Sequence, residues 1–238
     1  MIFFMLISIV LYILSLPIFL FSALCLIIIS FIHFPLFFKA DKFFCRLILV
    51  SLGVRPKIVG LFPKEGTFII MMNHSCFLDA FLFPLVPRGA YTGITAVENF
   101  KYPIFSSLIR RLKAIPIDRK NTRLAIESIK KAEGVLKEGI HIGILPEGSR
   151  TISGKMKSLK KGGFHMAVNT KTSIVPVGIS GAFRFKPKTR WWLRPGVITI
   201  NIGEPVNYKE YENLGIDGLL KRVELKLKIL SGENHEDR

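Results

Sequence analysis

The first 38 residues contain no Lys, Arg, Asp or Glu, and the first charged side chain is Lys39. A secretory leader opens on a basic segment and closes on a small-residue cleavage site; this one does neither and its apolar run is too long, so it reads as a segment that stays attached to a membrane. Acidic residues are also scarce, 17 Asp plus Glu against 34 Lys plus Arg, a net charge of +17. That balance favours anionic partners: nucleic acid, an anionic membrane face or an acidic carrier protein. No zinc spacing, glycine-aromatic RNA-binding motif or helix-turn-helix pattern accompanies the charge, so nucleic acid is not expected. The 3 cysteines, at 25, 45 and 76, are scattered and odd in number, which speaks against a disulfide framework and fits a reducing compartment. His33, His141 and His165 lack metal-ligand spacing. The absence of a Gly-x-Ser-x-Gly elbow argues against a thioesterase or lipase.

As one straight helix, residues 1–38 would extend about 57 Å against a hydrocarbon core of about 30 Å. The segment must tilt, break or turn back. Pro17 and the stretch His33-Phe34-Pro35 are the natural break points, because proline removes a backbone donor and clashes with the preceding turn. Two half-length helices dipping into one leaflet therefore compete with a single span. If the segment spans, Lys39, Lys42, Arg46, Arg55 and Lys57 put the rest of the chain on the cytoplasmic face, which is that of the inner membrane in a bacterium.

From residue 67 onward, short β-branched runs alternate with helical stretches. Residues 67–72, 90–96, 113–117, 140–145, 173–179 and 197–202 read as strands, several apolar on both faces. Ala125, Ile129, Ala132 and Leu136 recur at helical spacing, and Gly139 closes that helix. Leu219, Val223, Leu227 and Leu230 mark a surface helix, with 231–238 expected to fray. The fold class expected is α/β: a central mixed, partly parallel sheet flanked by helices, preceded by a hydrophobic membrane helix or helical hairpin. Residues 1–40 are expected to form the membrane segment and 41–238 the catalytic domain.

The chemistry concentrates in three places. His74 and Asp79 follow an apolar strand. At positions i and i+5 of one helix they would sit about 140° apart, so they meet only if His74 lies on the loop and Asp79 in the first turn of the next helix. A carboxylate on one ring nitrogen leaves the other free to accept a proton, which makes a general base. The stretch Leu145–Thr151 supplies Glu147 at a strand end, Gly148 for a tight turn and Arg150 as a fork for phosphate. Arg119 again stands just past a strand. In a parallel sheet these groups converge on one edge. Cys76 beside His74 is a possible thiol nucleophile. Lys160, Lys161 and the basic run 184–194 suit phosphate, lipid headgroups or a solvated face, and Trp191 and Trp192 suit an interfacial anchor.

These residues resemble the glycerolipid acyltransferase family that includes the 1-acylglycerol-3-phosphate acyltransferases. Asn73, His74 and Asp79 match its first motif, Arg119 the second, Pro146, Glu147, Gly148 and Arg150 the third, and Pro176 within 174–181 the fourth. Departures are Leu145 and Ser149 for the usual Phe and Thr, and Lys113 and Pro116 where Gly and Phe are frequent. The looser second motif leaves the acceptor open. The resemblance implies transfer of a fatty acyl group from a thioester to a lysophospholipid hydroxyl, most of all lysophosphatidate to phosphatidate. Glycerol-3-phosphate and a lyso-aminolipid are the alternative acceptors, and a noncatalytic anionic-membrane-binding protein is the alternative of another class. In this scheme His74 is the base, Asp79 its orienting partner, and Arg119 and Arg150 hold phosphate at a turn shaped by Glu147 and Gly148. The resemblance implies neither metal nor resident cofactor. Acyl-CoA or acyl-carrier protein enters as co-substrate, and membrane phospholipid is the other partner.

Overall fold

The computed structural model of the chain describes residues 1–118 and 121–233. Arg119 and residues 234–238 of the stretch 231–238 expected to fray therefore lie outside the described residues; Ser231 is still helical, with Gly232 capping the last helix. Seven strands form one sheet in the order β1-β7-β6-β2-β5-β3-β4. They are β1 (Val54–Val59), β2 (Ile69–Met72), β3 (Tyr91–Ala96), β4 (Ile115–Ile117), β5 (His141–Ile144), β6 (Ile174–Ser180) and β7 (Gly196–Ile202). β2 through β6 run parallel, whereas β7 is antiparallel to β6 and carries β1 parallel to itself. The sheet is mixed and mostly parallel, as expected; β1, with Arg55, Pro56 and Lys57 breaking its apolar pattern, is an edge strand that alternation alone does not reveal.

The helices are α1 (Ile2–Ile32), α2 (Phe34–Ser51), α3 (Asp79–Leu82), α4 (Pro103–Arg111), α5 (Thr122–Lys137), α6 (Gly162–Thr170), α7 (Ala182–Phe185), α8 (Tyr208–Tyr211) and α9 (Gly215–Ser231). β2 shows why its run is apolar throughout. Ile70 and Met72 enter the core under α2 and α3, while Ile69 and Met71 enter a second core under α5, α6 and α9. All four are buried, so the alternation of a strand exposed on one face disappears. Helix α9 sits so close that a Cβ on Gly178 would come within 2.2 Å of the Leu230 backbone, so β6 needs glycine there.

Helix α1 runs unbroken through Pro17; the break falls at His33. His33 adopts an extended backbone, its Nδ1 accepts from Leu36 N at 3.1 Å, and Pro35 opens the next helix. This cap turns the chain back into α2, which packs along α1. Apart from Ala23 and Leu26, the buried residues of α1 are Ser8, Ser15, Ser22 and Ser30, small enough for close approach, with each hydroxyl donating to a carbonyl of its own helix. The outward stripe, including Ile13, Leu20 and Leu24, is apolar and exposed.

Helix α1 also lies along the rest of the protein for most of its length. Near its start Phe4 stacks on Trp192, Ser8 Oγ accepts from Leu193 N at 2.7 Å and Tyr12 donates to Trp191 O at 2.7 Å. Phe19 meets Phe81 in mid-helix, and Arg111 lies 3.5 Å over the Phe31 ring near the end. The tryptophan pair is thus split: Trp192 packs inward and Trp191 is exposed.

Ser8 and Ser15 separate two roles of a small buried hydroxyl. Ser8→Ala strands the Leu193 N–H and is expected to cost about 1–3 kcal/mol, whereas Ser15→Ala, whose hydroxyl bonds only a carbonyl of its own helix, is expected within about 0.5 kcal/mol of the parent. Denaturation in detergent measures both; equal effects would show that Ser8 does not tie α1 to the domain.

Candidate active site

The site is built on the carboxyl ends of the central parallel strands. Beyond Met72 the Asn73 side chain continues the pairing of β2 with β6: its Oδ1 accepts from Ile179 N at 2.6 Å and its Nδ2 donates to Ile179 O at 3.1 Å. The next residue, His74, is therefore delivered from a fixed strand end. Its backbone is held on both sides by the loop after β5, since His74 N donates to Glu147 Oε1 at 2.6 Å and His74 O accepts from Thr151 N at 3.0 Å.

Asp79 opens α3, so the loop-and-first-turn arrangement expected for the pair is the one observed. Asp79 Oδ2 accepts from His74 Nδ1 at 2.6 Å, from Ser75 N at 2.9 Å and from Cys76 N at 3.1 Å. The side chains are 16% and 1% exposed, respectively. Burial pushes the Asp79 carboxyl up from its ordinary value, while the imidazole and the two backbone donors pull it back. With the proton on Nδ1, where the carboxylate accepts it, Nε2 keeps a free lone pair. Burial and the Asp79 charge push the Cys76 thiol well up, so it supplies no thiolate.

Glu147 is buried, and both oxygens are occupied by backbone: Oε1 by His74 N and Oε2 by Lys157 N at 2.7 Å. The geometry makes it the staple between the His74 loop and the segment 145–157. Gly148 turns that segment at φ +73°, a region that favours glycine. Arg150 lines the cavity beside His74, and Lys157 Nζ donates to Ser149 Oγ at 2.6 Å. Lys161, one of the lysines suited to phosphate, instead pairs with the exposed Asp217 at 2.7 Å. Lys113 adopts φ +53°, which gives the frequent glycine at this position a backbone reason.

A cavity of about 700 Å³ opens at His74, Asp79, Ser149 and Arg150 and continues between α1, α2, α4 and β3. Its walls are mainly apolar, among them Phe19, Ala23, Leu26, Phe83, Ile94 and Leu108. A Cβ on Gly143 would stand 2.3 Å from the Phe83 ring, so this glycine keeps Phe83 in its place in the wall. Thr92 shares a level with Ile69 through Ile142, five residues before His74, so the cavity reaches about 16 Å along the sheet from His74. Its far end carries Tyr91, whose hydroxyl donates to Asp41. Neither this cavity nor the part α1 plays in it is visible in the sequence pattern, because the contributing residues come from α1, α2, α3, α4, β2, β3 and β5 and the loops beside them and look like ordinary core.

The chain was compared with known proteins. The family model described as Acyltransferase matches residues 55–180. The chain is 32% identical over 180 residues to a 1-acyl-sn-glycerol-3-phosphate acyltransferase of Cocos nucifera, covering 75% of this chain and 58% of that protein. It is 31% identical to the enzyme of the same name from Pseudomonas aeruginosa, covering 72% and 66%. The chain thus spans about three fifths of the coconut protein's length. The crystal structure of the 1-acyl-sn-glycerophosphate (LPA) acyltransferase PlsC of Thermotoga maritima superposes with a TM-score of 0.84 at 26% identity, covering 98% of this chain and 97% of that one.

The staple can be tested apart from the His74 ring. Glu147→Gln keeps the shape but turns an NH₂ toward a backbone donor, so one buried bond is lost at an expected cost of about 1–3 kcal/mol. Because the lost bond also holds the His74 backbone, kcat is expected to fall with little change in either KM. Thermal unfolding and steady-state kinetics check both; parent-like values in each would remove Glu147 from the frame.

Proposed function

The chain belongs to the Acyltransferase family, and on that premise we propose that it transfers a fatty acyl group from a thioester to the free hydroxyl of a lysophospholipid, with 1-acyl-sn-glycerol-3-phosphate as acceptor and phosphatidate as product. The observation that carries this reading is a carboxylate-held histidine, its Nε2 without a partner among the described residues, at the end of a long apolar cavity next to the cationic Arg150. A cavity of this size lies within the usual range for lipid-sized and drug-sized ligands.

His74 Nε2 takes the proton from the acceptor hydroxyl as its oxygen attacks the thioester carbonyl. The tetrahedral adduct collapses with cleavage of the C–S bond, and the proton passes from His74 to the departing sulfur, leaving an ester and a thiol. Asp79 holds the ring with Nδ1 protonated and stabilises the imidazolium that forms between the two transfers. The apolar cavity takes the acyl chain and Arg150 the acceptor's phosphate, while Glu147 and Gly148 shape the loop that aims Arg150. The thioester, as acyl-CoA or acyl-carrier protein, arrives from water, and no resident cofactor is called for.

Membrane attachment follows from α1. Phe4 and Phe31 are about 40 Å apart along the helix, more than a hydrocarbon core of about 30 Å, yet both touch the same domain. A crossing would carry Trp192 and Arg111 to opposite sides of the bilayer. The α1–α2 hairpin lies instead in one leaflet with its exposed apolar stripe in lipid, and the basic domain is drawn to the anionic cytoplasmic surface.

His74→Ala and Asp79→Ala are each expected to lose about 10²–10⁴ in kcat, and the double variant little more than either alone, because both serve one proton transfer. Assay with lysophosphatidate and both thioester classes decides this; parent-like turnover by a folded single variant contradicts the base. The membrane reading is tested by placing Asp at Ile13 and Leu24 on the lipid stripe. About 3 kcal/mol per charge at full depth predicts at least a hundredfold weaker sedimentation with vesicles, with turnover of a short-chain soluble acceptor retained. A double variant that still pellets would show that the stripe does not face lipid.

A further inference from the structure

The cavity mouth carries more positive charge than the base and Arg150 account for. Lys188 lines the cavity with His74 and Arg150. Lys186 Nζ stands 5.4 Å from the centre of the Phe77 ring, itself part of the cavity wall. Both lysines leave the same short turn after α7, and that turn is laced by Arg190. Arg190 N donates to Pro187 O at 3.2 Å, and the guanidinium donates to Arg184 O and Phe185 O at 2.7 Å each and to Trp192 O at 3.0 Å. The guanidinium also lies 3.9 Å over the Trp192 ring. The lysines therefore project from a fixed frame.

None of Arg150, Lys186 and Lys188 pairs with a carboxylate among the described residues. The acids that reach the mouth are already committed, Asp79 to His74 and Glu147 to two backbone N–H groups. Burial and the neighbouring Arg150 charge pull the Lys186 ammonium down from its ordinary value. Like charges gathered in a half-sheltered cleft without a counter-ion leave a field that a bound anion relieves.

We infer that Lys186 and Lys188 join Arg150 in a clamp for a phosphate monoester on the acceptor, and that this clamp makes the site prefer monoester to phosphodiester acceptors. The chemistry distinguishes the two. A monoester has three unbridged oxygens and close to two negative charges at neutral pH, a diester two oxygens and one charge. The planar Arg150 fork takes two oxygens, and the flexible lysine ammonium groups take the third oxygen and the second charge. A diester leaves the lysines facing a bridging oxygen and its substituent. That the monoester is an acceptor rests on the proposed acyl transfer; that it binds does not.

The test uses the full chain in detergent without vesicles, with two water-soluble probes: 1-octanoyl-glycerol 3-phosphate and its phosphomethyl ester. The parent is expected to favour the monoester by tenfold or more in KM and in calorimetric Kd. Lys186→Gln is expected to shrink that preference by about tenfold, the scale of one charge-assisted hydrogen bond, with the thioester KM unchanged. Lys186→Arg is expected to restore it, and Lys188→Gln to act in the same direction. An unchanged monoester KM, equal losses on both probes, or an effect that emerges only when anionic vesicles are added would each overturn the clamp. If the parent turns over no acceptor yet binds the monoester in a Lys186-dependent way, the clamp stands and the acyl-transfer reading falls. If the parent binds the two probes equally, the clamp falls whatever the activity.

Discussion

The parallel pairing of β2 between β5 and β6 is the constraint on which the rest depends. Parallel strands end at a common edge, and the loops at their ends therefore share one surface although they are far apart in the chain. His74 leaves β2, Glu147 and Arg150 come after β5, and the turn bearing Lys186 comes after β6 through α7. Asn73 carries this pairing one residue further by bonding both ways to Ile179. His74 is thus fixed from two directions, by the ladder that Asn73 extends and by the loop after β5 that bonds its N–H and C=O, which holds it more tightly than a loop alone could.

At that edge the electrostatics are arranged by burial against hydrogen bonding. Taking the Asp79 carboxylate out of water disfavours its charge, and the compensation is concentrated on one oxygen, where the ring and two backbone donors meet. Glu147 obeys the same logic with a different outcome. Burial raises it too, and its two backbone donors make it a structural anion a few ångströms from His74. The acids there are therefore committed, while Arg150, Lys186 and Lys188 pair with no carboxylate among the described residues, which leaves the field at that edge positive.

The N-terminal hairpin serves two solvents at once. Its serine-bearing face packs against α2 and the domain, its opposite stripe is exposed and apolar, and Phe19, Ala23 and Leu26 complete the cavity wall. A segment that only anchored the chain would have no reason to hydrogen-bond Leu193 or to stack on Trp192. The cavity thus lies between its polar end at His74 and Arg150 and a helix whose outer stripe is exposed and apolar, the arrangement on which the proposed transfer between a soluble donor and a lipid rests.

Six of the seven strands, the helix over Ala125–Leu136, the cap at Gly139 and the meeting of His74 with Asp79 were legible from residue order, because each rests on local periodicity or on the reach of one turn. The break of the leader was legible only as a choice between Pro17 and His33. A proline within a long helix is tolerated when neighbours pack around it, whereas the extended backbone and ring cap at His33 redirect the chain. Edge strand β1 escaped because its charged residues mask the alternation. What only the tertiary structure decided is which distant side chains share a space. The two backbone bonds of Glu147, the wall that α1 gives the cavity and the place of Lys186 beside Arg150 depend on strand order and helix packing. Those are set by contacts between segments a hundred or more residues apart in some cases, and no local pattern encodes them.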